Sequence, residues 1–420
     1  MAVTFPDFST TPGTPGLEVS DFAARRAVSE TDAATGRRAE LTSCLLPARE
    51  FGAIAAAQWD ALSNNALVEN PFYSRTFIRG GLGTIDTGSG IAAFAVWSRK
   101  GHLVGFFPMR SLFGTGYGAQ NIYQFNGAPL VHRDNAEDVI LKWLLAIRDG
   151  PLPGCWQLPD LQLNGPLHDL ICQTAPRLGL SLAVVNTYSR PQLTRLEGGF
   201  EAHLSQALGK SRRKELERCL RRLREKGVLR LERATAPDAI RSALEAFLAL
   251  ENAGWKGRAG TSFLARGEDA SFARAAFSSD GTAHATIIDT LLLDDRPIAI
   301  NVNIASGSTL FSPKTAYCED LRSFAPGLVL EYLVIERFYS EPDFVCMDAA
   351  TTVDGHVLQG LWNETVPVGT LYVGSATKTG RAVYLARVKS GLKPYAKWLR
   401  DYLRSAGRAA ETRRMSKKNR

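Results

Sequence analysis

Apolar and polar residues form two successive series along the chain, and both series predict a similar order of helices and strands. The first series begins near Cys44, where Ile54, Trp59 and Leu62 have helical spacing. Short apolar runs bounded by turn residues then predict strands. The predicted elements are a helix over this stripe, strands at IAAFAVWS, LVGFFPMRSL and NIYQFNG, a helix from Asp134 to Arg148, a strand near Trp156 to Leu158, a helix near Leu167 to Leu178 and a strand at SLAVV.

The second series begins with a basic amphipathic helix from Glu201 to Lys226. Its hairpin signal is Asp294-Asp295-Arg296-Pro297, between two strand-like runs. The elements predicted after the basic helix are a strand at VLRLER, a helix from Pro237 to Glu251, a loop at NAGWKGRAGT, a helix from Ser262 to Phe277, strands at ATIIDTLLLD, IAINVNIA and LFSPKTAY, a helix at GLVLEYLVIERFY, a strand at DFVCMD, a short helix near Leu358 to Trp362 and strands at LYVGS and AVYLARV. This order predicts an α+β fold (an α/β mixed sheet) of two tandem units, each a mixed, mainly antiparallel sheet flanked by helices.

The two series imply four segments. Residues 1–43 are rich in Thr, Pro, Gly and Ala without a sustained period, and we expect a disordered leader there. Residues 44–190 are predicted to form the first unit and residues 200–390 the second, joined by the Pro- and Gly-containing linker near Arg190 to Gly199. Residues 391–420 are expected to be a basic helical or disordered tail.

Composition excludes several classes of protein. With 45% hydrophobic and 22% charged residues, the 420-residue chain has a globular composition. Its six cysteines form no CxxC pair and its six histidines have no HxH or HExxH spacing. We therefore expect buried thiols, and neither a disulfide framework nor a metal site. No run is long and apolar enough to span a bilayer, so we expect a cytoplasmic protein.

The net charge of +8 is concentrated in Lys210 to Gly227 and in Arg413 to Arg420. In the first cluster Leu216, Leu220 and Leu223 form an apolar stripe, while Arg and Lys cover the other faces. Two interpretations stay open for this helix. It is either a solvated helix packed on a domain edge, or an electrostatic platform for an anionic acceptor or an anionic membrane surface. Nucleic acid is not expected as a partner.

The segment RSFAPG precedes a strongly apolar helix and favours an anion-binding turn. Pro326 and Gly327 permit a sharp entry into this helix, whose first turn has no acidic residue. Backbone N–H groups at such a helix start can hold a diphosphate without a metal. The candidate cofactor-binding residues are Arg322, Ser323, Phe324, Ala325, Pro326, Gly327 and Leu328.

The meander strands, the Pro-Gly turn, the apolar helix and the strand ending in Asp348 resemble the acyl-CoA-binding half of GNAT acetyltransferases. More narrowly, FLALENAGWKGRAGTSF (Phe247 to Phe263) and FSPKTAYCEDLRSFAPGLVLEYLVIERF (Phe311 to Phe338) resemble the branch grouped with bacterial cellulose-biosynthesis acetyltransferases, which is distantly similar to Fem-type peptidoglycan aminoacyl transferases. The resemblance covers roughly Cys44 to Lys389. It implies two GNAT-like units, with acetyl-CoA or another acyl-CoA bound by the second unit as co-substrate and no metal. The first unit lacks an equivalent turn and is expected to shape the acceptor cleft.

Acyl transfer needs a neutral nucleophile, donors for the oxyanion and a proton for the departing thiolate. Glu251 lies on the apolar side of its predicted helix and is the candidate general base, although it can instead be a buried carboxylate paired with Lys256 or Arg258, or the cap of a loop. Lys314 flanks the splay, the place where two strands of the sheet are expected to part and where thioester and acceptor meet. It either holds an anionic acceptor, stabilises developing charge or is an ordinary edge-strand lysine. Asp348 ends a strand at the cleft, and either orients or deprotonates the acceptor or caps the next loop.

Trp255, Lys256 and Tyr317 are the candidate substrate-binding residues. Trp255 and Lys256 in GWKG are expected to form a cleft wall and a phosphate or acceptor contact, or Trp255 merely continues the apolar stripe of the helix before it. The GTGYGA segment does not open a helix, which argues against a dinucleotide-binding loop.

The leading hypothesis is an acyl-CoA-dependent N-acyltransferase that acts on a sugar or polysaccharide-precursor acceptor in bacterial exopolysaccharide or cell-envelope biosynthesis. The expected partners are a small-molecule or glycan-precursor acceptor, with peripheral membrane or synthase-complex association. One alternative is a Fem-type transferase that takes an aminoacyl group from tRNA. The other is a non-catalytic scaffold of a polysaccharide synthase complex.

Overall fold

A computed structural model describes residues 41–86, 90–278, 285–352 and 356–388 of the protein. The predicted leader (residues 1–43) lies almost wholly outside these ranges, and the predicted tail (residues 391–420) lies wholly outside them. The described strands are β1 Thr42–Pro47, β2 Ile91–Trp97, β3 Leu103–Leu112, β4 Thr115–Gly118, β5 Leu130–Val131, β6 Cys155–Gln162, β7 Ser181–Thr194, β8 Leu229–Ala234, β9 Ala285–Leu293, β10 Arg296–Ser306, β11 Thr309–Tyr317, β12 Cys346–Asp348 and β13 Glu364–Gly374.

Helices flank these strands in the order that the apolar periodicity predicts for most of the chain. The described α-helices are α1 Ala56–Asn64, α2 Arg75–Leu82, α3 Ala136–Arg148, α4 Pro166–Thr174, α5 Gly199–Ala207, α6 Lys210–Arg224, α7 Pro237–Ala253, α8 Trp255–Arg258, α9 Gly267–Ala276 and α10 Pro326–Ser340. Residues 376–388 are also helical. Pro237 and Pro326 each occupy the first turn of their helix, where the missing N–H has no intrahelical partner to lose.

The described strands form one mixed sheet. Its order is β1-β2-β3-β4-β6-β13-β7-β12-β11-β10-β9-β8, and β5 pairs with β3 beside this path. The β4–β6 and β11–β12 pairs are parallel and the other pairs are antiparallel. The protein therefore has the predicted α+β fold, a mixed and mainly antiparallel sheet flanked by helices. The predicted hairpin between β9 and β10 is also confirmed, with Asp294 and Asp295 in the left-handed region that a two-residue turn requires.

We call β1 to β7 the first half of the chain and α5 to β13 the second half. The two halves are joined by an exchange of strands. β13, which comes from the second half, lies between β6 and β7 of the first half. β7 in turn pairs with β12 through Gln192 to Thr194. The prediction of a linker was therefore wrong as far as Thr194, because ladders on both sides hold this segment in the sheet. The boundaries of the two units stay a prediction.

One hydrophobic cluster contains side chains from both halves. Phe72, Phe77 and Tyr123 of the first half pack with Phe263 and Phe272 of the second. The ring centroids of Phe77 and Phe272 are 5.3 Å apart, and those of Tyr123 and Phe272 are 5.1 Å apart. Separating the halves would expose these rings to water, which is strongly unfavourable.

Residues 121–127 form a loop instead of the predicted strand. The Gln124 side-chain amide donates to the Phe72 carbonyl at 2.8 Å, and Asn126 Oδ1 accepts from the Ala128 N–H at 3.0 Å. Such side-chain bonds satisfy backbone groups locally and compete with a strand ladder. The strand that follows β3 is instead β4, from the segment TGYG.

Three other predicted elements differ from the structure. The basic helix is two helices, α5 and α6, separated by the extended backbone of Gly209. The predicted helix near Leu358 to Trp362 is a series of turns. AVYLARV, predicted as a strand, belongs to the helix over residues 376–388, because its buried side chains pack on one side against β6, β7 and β13.

Candidate active site

The parallel strands β11 and β12 lie side by side over only three residues and then part. Thr309 to Phe311 pair with Cys346 to Asp348. β11 then continues to Tyr317, whereas the chain after Asp348 leaves the sheet, with Ala350 in the left-handed region at φ 43°. The edge of β11 beyond Phe311 thus lies beside an opening in the sheet. This opening occupies the position of the expected splay.

A β-bulge in β11 sets the direction of Lys314. Val302 of β10 pairs with Lys314 and Ile304 pairs with Phe311, so two residues of β11, Ser312 and Pro313, oppose one residue of β10. Pro313 has no N–H to give to a ladder, and a bulge removes the need for one. The extra residue brings Lys314 to the same face of the sheet as Phe311.

Ser312 anchors the bulge to a buried ionic network on the opposite face. Its hydroxyl donates to Asn303 Oδ1 at 2.7 Å, and Asn303 Nδ2 donates to Asp289 Oδ2 at 3.1 Å. Asp289 is fully buried and accepts from Arg233 Nε at 2.8 Å and from Arg337 Nη1 at 3.3 Å. Buried charges that are paired and hydrogen-bonded in this way hold their neighbours in one geometry.

The Lys314 ammonium is surrounded by aromatic rings. Its Nζ lies 4.6 Å from the ring centroid of Tyr123, 4.9 Å from that of Phe263 and 5.9 Å from that of Phe125. Among the residues that the structure describes, none forms a hydrogen bond or an ion pair with this ammonium. Contact of a cation with ring faces is favourable, so the three rings, which we call the aromatic cage, hold the charge without neutralising it.

Charged groups beside the aromatic cage influence the ionisation of Lys314. Burial and, second, the positive charge of Lys256 lower the pKa of Lys314 from the ordinary 10.5 to about 8, while the Glu251 and Asp269 carboxylates oppose this shift. Burial and the neighbouring Asp269 raise the pKa of the Tyr123 phenol well above its ordinary value. Lys314 therefore loses its proton more readily than an ordinary lysine, whereas the Tyr123 phenol loses its proton less readily than an ordinary tyrosine.

Glu251, the candidate general base, has both carboxylate oxygens occupied. It is 4% exposed, accepts from Lys256 Nζ at 2.8 Å, and accepts from the Phe263 N–H at 2.9 Å. This arrangement matches the alternative of a buried carboxylate paired with Lys256. Its contacts fix one ring of the aromatic cage, and a proton-accepting role for Glu251 stays a prediction.

Asp348 lies at the edge of a cleft of about 450 Å³ between the two halves. Its Oδ1 accepts from the Ala350 N–H at 2.7 Å, and its Oδ2 is 3.6 Å from Arg190 Nη1. The alternative that Asp348 caps the next loop therefore agrees with the structure, and the residue also lines the cleft. Other polar residues that line the cleft are Glu69, Asn126, Arg133, Gln162, His168, Gln192 and Ser308.

Arg190 connects the cleft to the aromatic cage. It is 2% exposed, and its guanidinium donates to the carbonyls of Thr351 and Phe125 and to the Tyr188 hydroxyl. It also faces Asp348. One side chain thus holds the chain after β12 against the loop that supplies two rings of the cage. Nothing in the local sequence around Arg190, predicted as a linker, indicates this role.

The candidate cofactor turn has a left-handed residue at its centre. Residues 319–324 form a 3-10 turn, and Ala325 follows with φ 46° before Pro326 begins α10. The Leu328 N–H donates to the Ala325 carbonyl at 3.0 Å and is therefore occupied within the turn. A side chain placed on Gly327 would meet the ring of Tyr317 at 3.5 Å, so Tyr317 covers the glycine. Arg322 and Ser323 are exposed at the rim.

The basic helix α6 packs beside this turn. Its apolar stripe belongs to the same buried cluster as α10. Arg222 and Lys226 lie over the ring of Phe324, with the guanidinium carbon at 4.6 Å and Nζ at 5.0 Å from the centroid. Positive charge from α6 is thus placed at the candidate cofactor turn, which the linear sequence did not reveal.

Trp255 does not continue the apolar stripe of α7, because its side chain is 54% exposed. The backbone N–H of Trp255 donates to Glu319 Oε1 at 2.7 Å, and Arg258 pairs with the same carboxylate. The negative charge of Glu319 beside the candidate cofactor turn is thereby neutralised. The exposed indole stands at the surface, and its predicted role as a cleft wall stays a prediction.

The described residues include neither a metal-binding group nor a membrane-spanning helix. No group of three or more His, Cys, Asp or Glu within these ranges is placed to hold a metal ion. No helix within them combines the length and apolar character needed to cross a membrane. Cys155, Cys219 and Cys318 are buried thiols outside any disulfide.

The segment that contains the splay and the candidate cofactor turn is similar to a known protein family. Residues 210–349 match the family described as an acetyltransferase (GNAT) domain. No curated protein matches the sequence. The crystal structure of FemX superposes with a TM-score of 0.50 at 12% identity, over 76% of this chain and 96% of FemX.

Two further solved structures share less of the geometry. The C-terminal domain (DUF2156) of a protein assigned as a lysylphosphatidylglycerol synthetase from Agrobacterium fabrum gives a TM-score of 0.48 at 11% identity, over 80% of this chain and 96% of that chain. A tandem GNAT protein from the clavulanic acid biosynthesis pathway gives 0.39 at 14% identity, over 79% and 98%. The match of residues 210–349 to the acetyltransferase (GNAT) domain family supports an acyltransferase enzyme.

Proposed function

We propose that the protein transfers an acyl group from an acyl-CoA, with acetyl-CoA as the expected donor, to an amine or hydroxyl of a polar acceptor bound between the two halves. The observation that carries this proposal is that Phe311 and Asp348 belong to both features of the site. They form the last pair before β11 and β12 part, and they line the cleft between the halves. A thioester in the splay and an acceptor in the cleft would therefore meet at this pair.

The donor side fits a molecule with a diphosphate and a long flexible arm. Arg222, Lys226 and Arg322 supply positive charge at the turn before α10. The acid Glu319 in the same turn is paired with Arg258. The arm would pass along the unpaired edge of β11, whose backbone groups can hydrogen-bond its amides.

The acceptor side fits a polar molecule of about the size of a sugar. Ligand sites of about 300–1,000 Å³ hold small molecules, and this cleft of about 450 Å³ is at the lower part of that range. Amide, hydroxyl and carboxylate groups line it, which suits an acceptor with several hydroxyl groups. We infer a sugar or polysaccharide precursor of bacterial exopolysaccharide or cell-envelope biosynthesis, in line with the resemblance of Phe247 to Phe263 and Phe311 to Phe338 to that branch.

The chemistry would be direct attack of the acceptor on the thioester in a ternary complex. Asp348 would orient the acceptor amine or hydroxyl, with its own geometry held by Arg190 and by the Ala350 N–H. Holding two reactants in contact supplies much of the rate enhancement for such a step. The polar cleft would provide the remaining positioning.

The test is turnover by the purified protein with acetyl-CoA or longer acyl-CoAs and glucosamine as acceptor. Released CoA thiol and the mass of the acylated acceptor are measured together. Asp348→Asn keeps the shape of the carboxylate and should reduce transfer, while Asp149→Asn, on an exposed carboxylate, serves as the matched control. Absence of acyl-CoA binding by calorimetry, together with absence of thiol release, would refute the proposal.

A second candidate function is a Fem-type transfer from aminoacyl-tRNA, and the superposition on 96% of FemX is the observation that favours it. The basic faces of α6 would then be the docking surface. α6 leads directly into β8, and it does not extend into a helical arm. A tRNA affinity that falls steeply with salt, with no acyl-CoA turnover, would favour this candidate over the first.

A further inference from the structure

We propose that the ammonium of Lys314, held at the splay by the aromatic cage of Tyr123, Phe125 and Phe263, is the general acid that protonates the departing thiolate. This inference rests on the proposed function, because it assigns a proton donor to the same acyl transfer. It goes beyond that function by naming the atom that supplies the proton, Lys314 Nζ.

The position of Lys314 is the first support. The bulge at Ser312 and Pro313 places it on the face of Phe311, the residue shared by the splay and the cleft. The bulge is anchored on its other face by the hydrogen bond from Ser312 to Asn303. Lys314 therefore stands on a rigid element, three residues along β11 from the point where donor and acceptor would meet.

The surroundings of the ammonium are the second support. A lysine locked into an ion pair is a poor proton donor, since proton loss would leave its partner carboxylate unpaired in a buried site. Lys314 has ring faces around it and no ion pair within the described residues. The neighbouring Lys256 is different, because its Nζ bonds to Glu251 at 2.8 Å.

The rings that form the cage are themselves fixed. Tyr123 stacks on Phe272 at 5.1 Å and contacts Phe263 at 4.5 Å. Phe263 is also held through its N–H by Glu251, and the Phe125 carbonyl is held by Arg190. The cage is thus assembled from both halves of the protein, and its geometry depends on their docking.

The ionisation of Lys314 is in line with the role of general acid. The pKa of Lys314 is lowered to about 8, mainly by burial and then by Lys256. A simple thiol such as cysteine titrates at about 8.5, so the proton would pass between groups of similar affinity, which suits general acid catalysis. The other charged or titratable groups that face Lys314 are Glu251 on α7, Asp269 on α9 and Tyr123. Tyr123 is the poorer donor, since burial raises the pKa of its phenol.

The proposed acyl transfer forms a bond from the acceptor nitrogen to carbon and breaks the C–S bond of the thioester. The acceptor nitrogen forms a bond to the thioester carbonyl carbon, and the C–S bond breaks with its electron pair on sulfur. Lys314 Nζ gives one proton to this sulfur, which yields the CoA thiol. The acceptor nitrogen loses one proton to water, and neutral Lys314 regains a proton from solvent before the next turnover.

The experiment measures single-turnover rates from pH 6 to pH 10 for the full chain, with saturating acetyl-CoA and hydroxylamine as acceptor. Hydroxylamine is already neutral at pH 7, so its own titration does not shape the alkaline limb, which is the fall of the rate at high pH. We expect the wild-type rate to fall above about pH 8, because the acid form of Lys314 is lost. Lys314→Met should be about 100-fold slower at pH 7, within the usual range for a lost general acid, and should show no alkaline limb.

Two further variants test whether the pKa of Lys314 sets the alkaline limb. A purely structural role of Lys314 would not make the limb shift with the charge of its neighbours. Lys256→Met removes a positive charge that lowers the pKa of Lys314, so its alkaline limb should move to higher pH. Glu251→Gln removes a negative charge that raises the pKa, so its limb should move to lower pH. Acetyl-CoA binding, followed by calorimetry, should be unchanged in Lys314→Met.

The outcomes separate this inference from the proposed function. An active wild-type protein whose alkaline limb persists in Lys314→Met, or fails to move in the two charge variants, would overturn the general acid and leave the acyltransferase intact. A wild-type protein that neither binds acetyl-CoA nor releases thiol would overturn both.

Discussion

Replacement of Lys314 by methionine should make the folded protein more stable at neutral pH, although it removes the proposed general acid. The structure places the ammonium in a partly buried site where burial lowers its pKa from the ordinary 10.5 to about 8. Each pKa unit corresponds to about 1.4 kcal/mol, so keeping Lys314 charged in the folded state costs up to about 3 kcal/mol at pH 7. Loss of the contacts with the ring faces opposes this gain by about 0.5–2 kcal/mol. The net stabilisation expected at pH 7 is therefore about 1–3 kcal/mol.

The sign of the pH dependence follows from proton binding. Between about pH 8 and pH 10.5 the unfolded chain holds the Lys314 proton while the folded chain has lost it. Stability from this group therefore rises with pH through this window. Below about pH 8 the cost is fully present, and at pH 10 it has fallen to about 1 kcal/mol. The advantage of Lys314→Met should accordingly be greatest at pH 7 and small at pH 10.

Urea unfolding at pH 7 and pH 10 measures both quantities. Lys214→Met, on the exposed face of α6, is the matched control and should change the free energy of unfolding by less than about 0.5 kcal/mol at either pH. If Lys314→Met were destabilising at pH 7, or if its effect were the same at the two pH values, the reasoning from burial of the charge would be refuted.

Three other predictions concern the joint between the halves, the cofactor turn and the buried acid of α10. Arg190→Met should lower the free energy of unfolding by about 3–5 kcal/mol in urea titrations, because the buried Asp348 carboxylate loses its cationic partner and the hydrogen bonds from the guanidinium are lost. Gly327→Val should weaken acetyl-CoA binding at least about tenfold in calorimetry, because its β-carbon fits at 3.5 Å from Tyr317 but its methyl groups would stand where a ligand must approach the backbone of the turn. Burial raises the pKa of Glu331 from 4.5 to about 7, so the folded protein loses stability as pH rises through this interval, and Glu331→Gln should remove that loss when urea unfolding is compared at pH 5 and pH 8.

Each of these predictions has a matched control. Tyr188→Phe removes the hydrogen bonds of this hydroxyl to Arg190 and Asp160 and should cost only about 2 kcal/mol, so equal losses in the two variants would contradict the role given to the guanidinium. Gly327→Ala should fold and retain more affinity than Gly327→Val, and wild-type affinity in both would remove the turn from the cofactor site. Glu336→Gln, on the exposed side of α10, should leave the pH dependence unchanged, in contrast to Glu331→Gln.

The element order from β9 to α10 could be predicted from the sequence because each signal there is local. Alternating apolar residues predicted β9, β10 and β11, and two consecutive aspartates predicted the hairpin that joins the first two. Pro326 and an apolar run predicted α10 and its starting turn. Local patterns were misleading at residues 121–127, where side-chain amides bind backbone groups that a strand would otherwise pair.

The candidate site was predicted only as separate pieces. Glu251, Lys314 and Asp348 were recognised from their positions at the ends or edges of elements, and Trp255 from its loop. The sequence left the pairing of Glu251 with Lys256 as one of several alternatives, and it did not reveal that Arg190 faces Asp348. The pairing of Arg190 with Asp348 joins residues far apart in the chain, which no local pattern indicates.

The sequence by itself determined which residues are buried along each helix and strand, and therefore the class of the fold and the turn before α10. Only the tertiary structure decided that β13 crosses back between β6 and β7, that Arg222 and Lys226 stand at the candidate cofactor turn, and that rings from both halves enclose Lys314. The physical reason is that periodicity specifies which face of an element avoids water. The partner that covers this face is selected by packing among segments far apart in the chain.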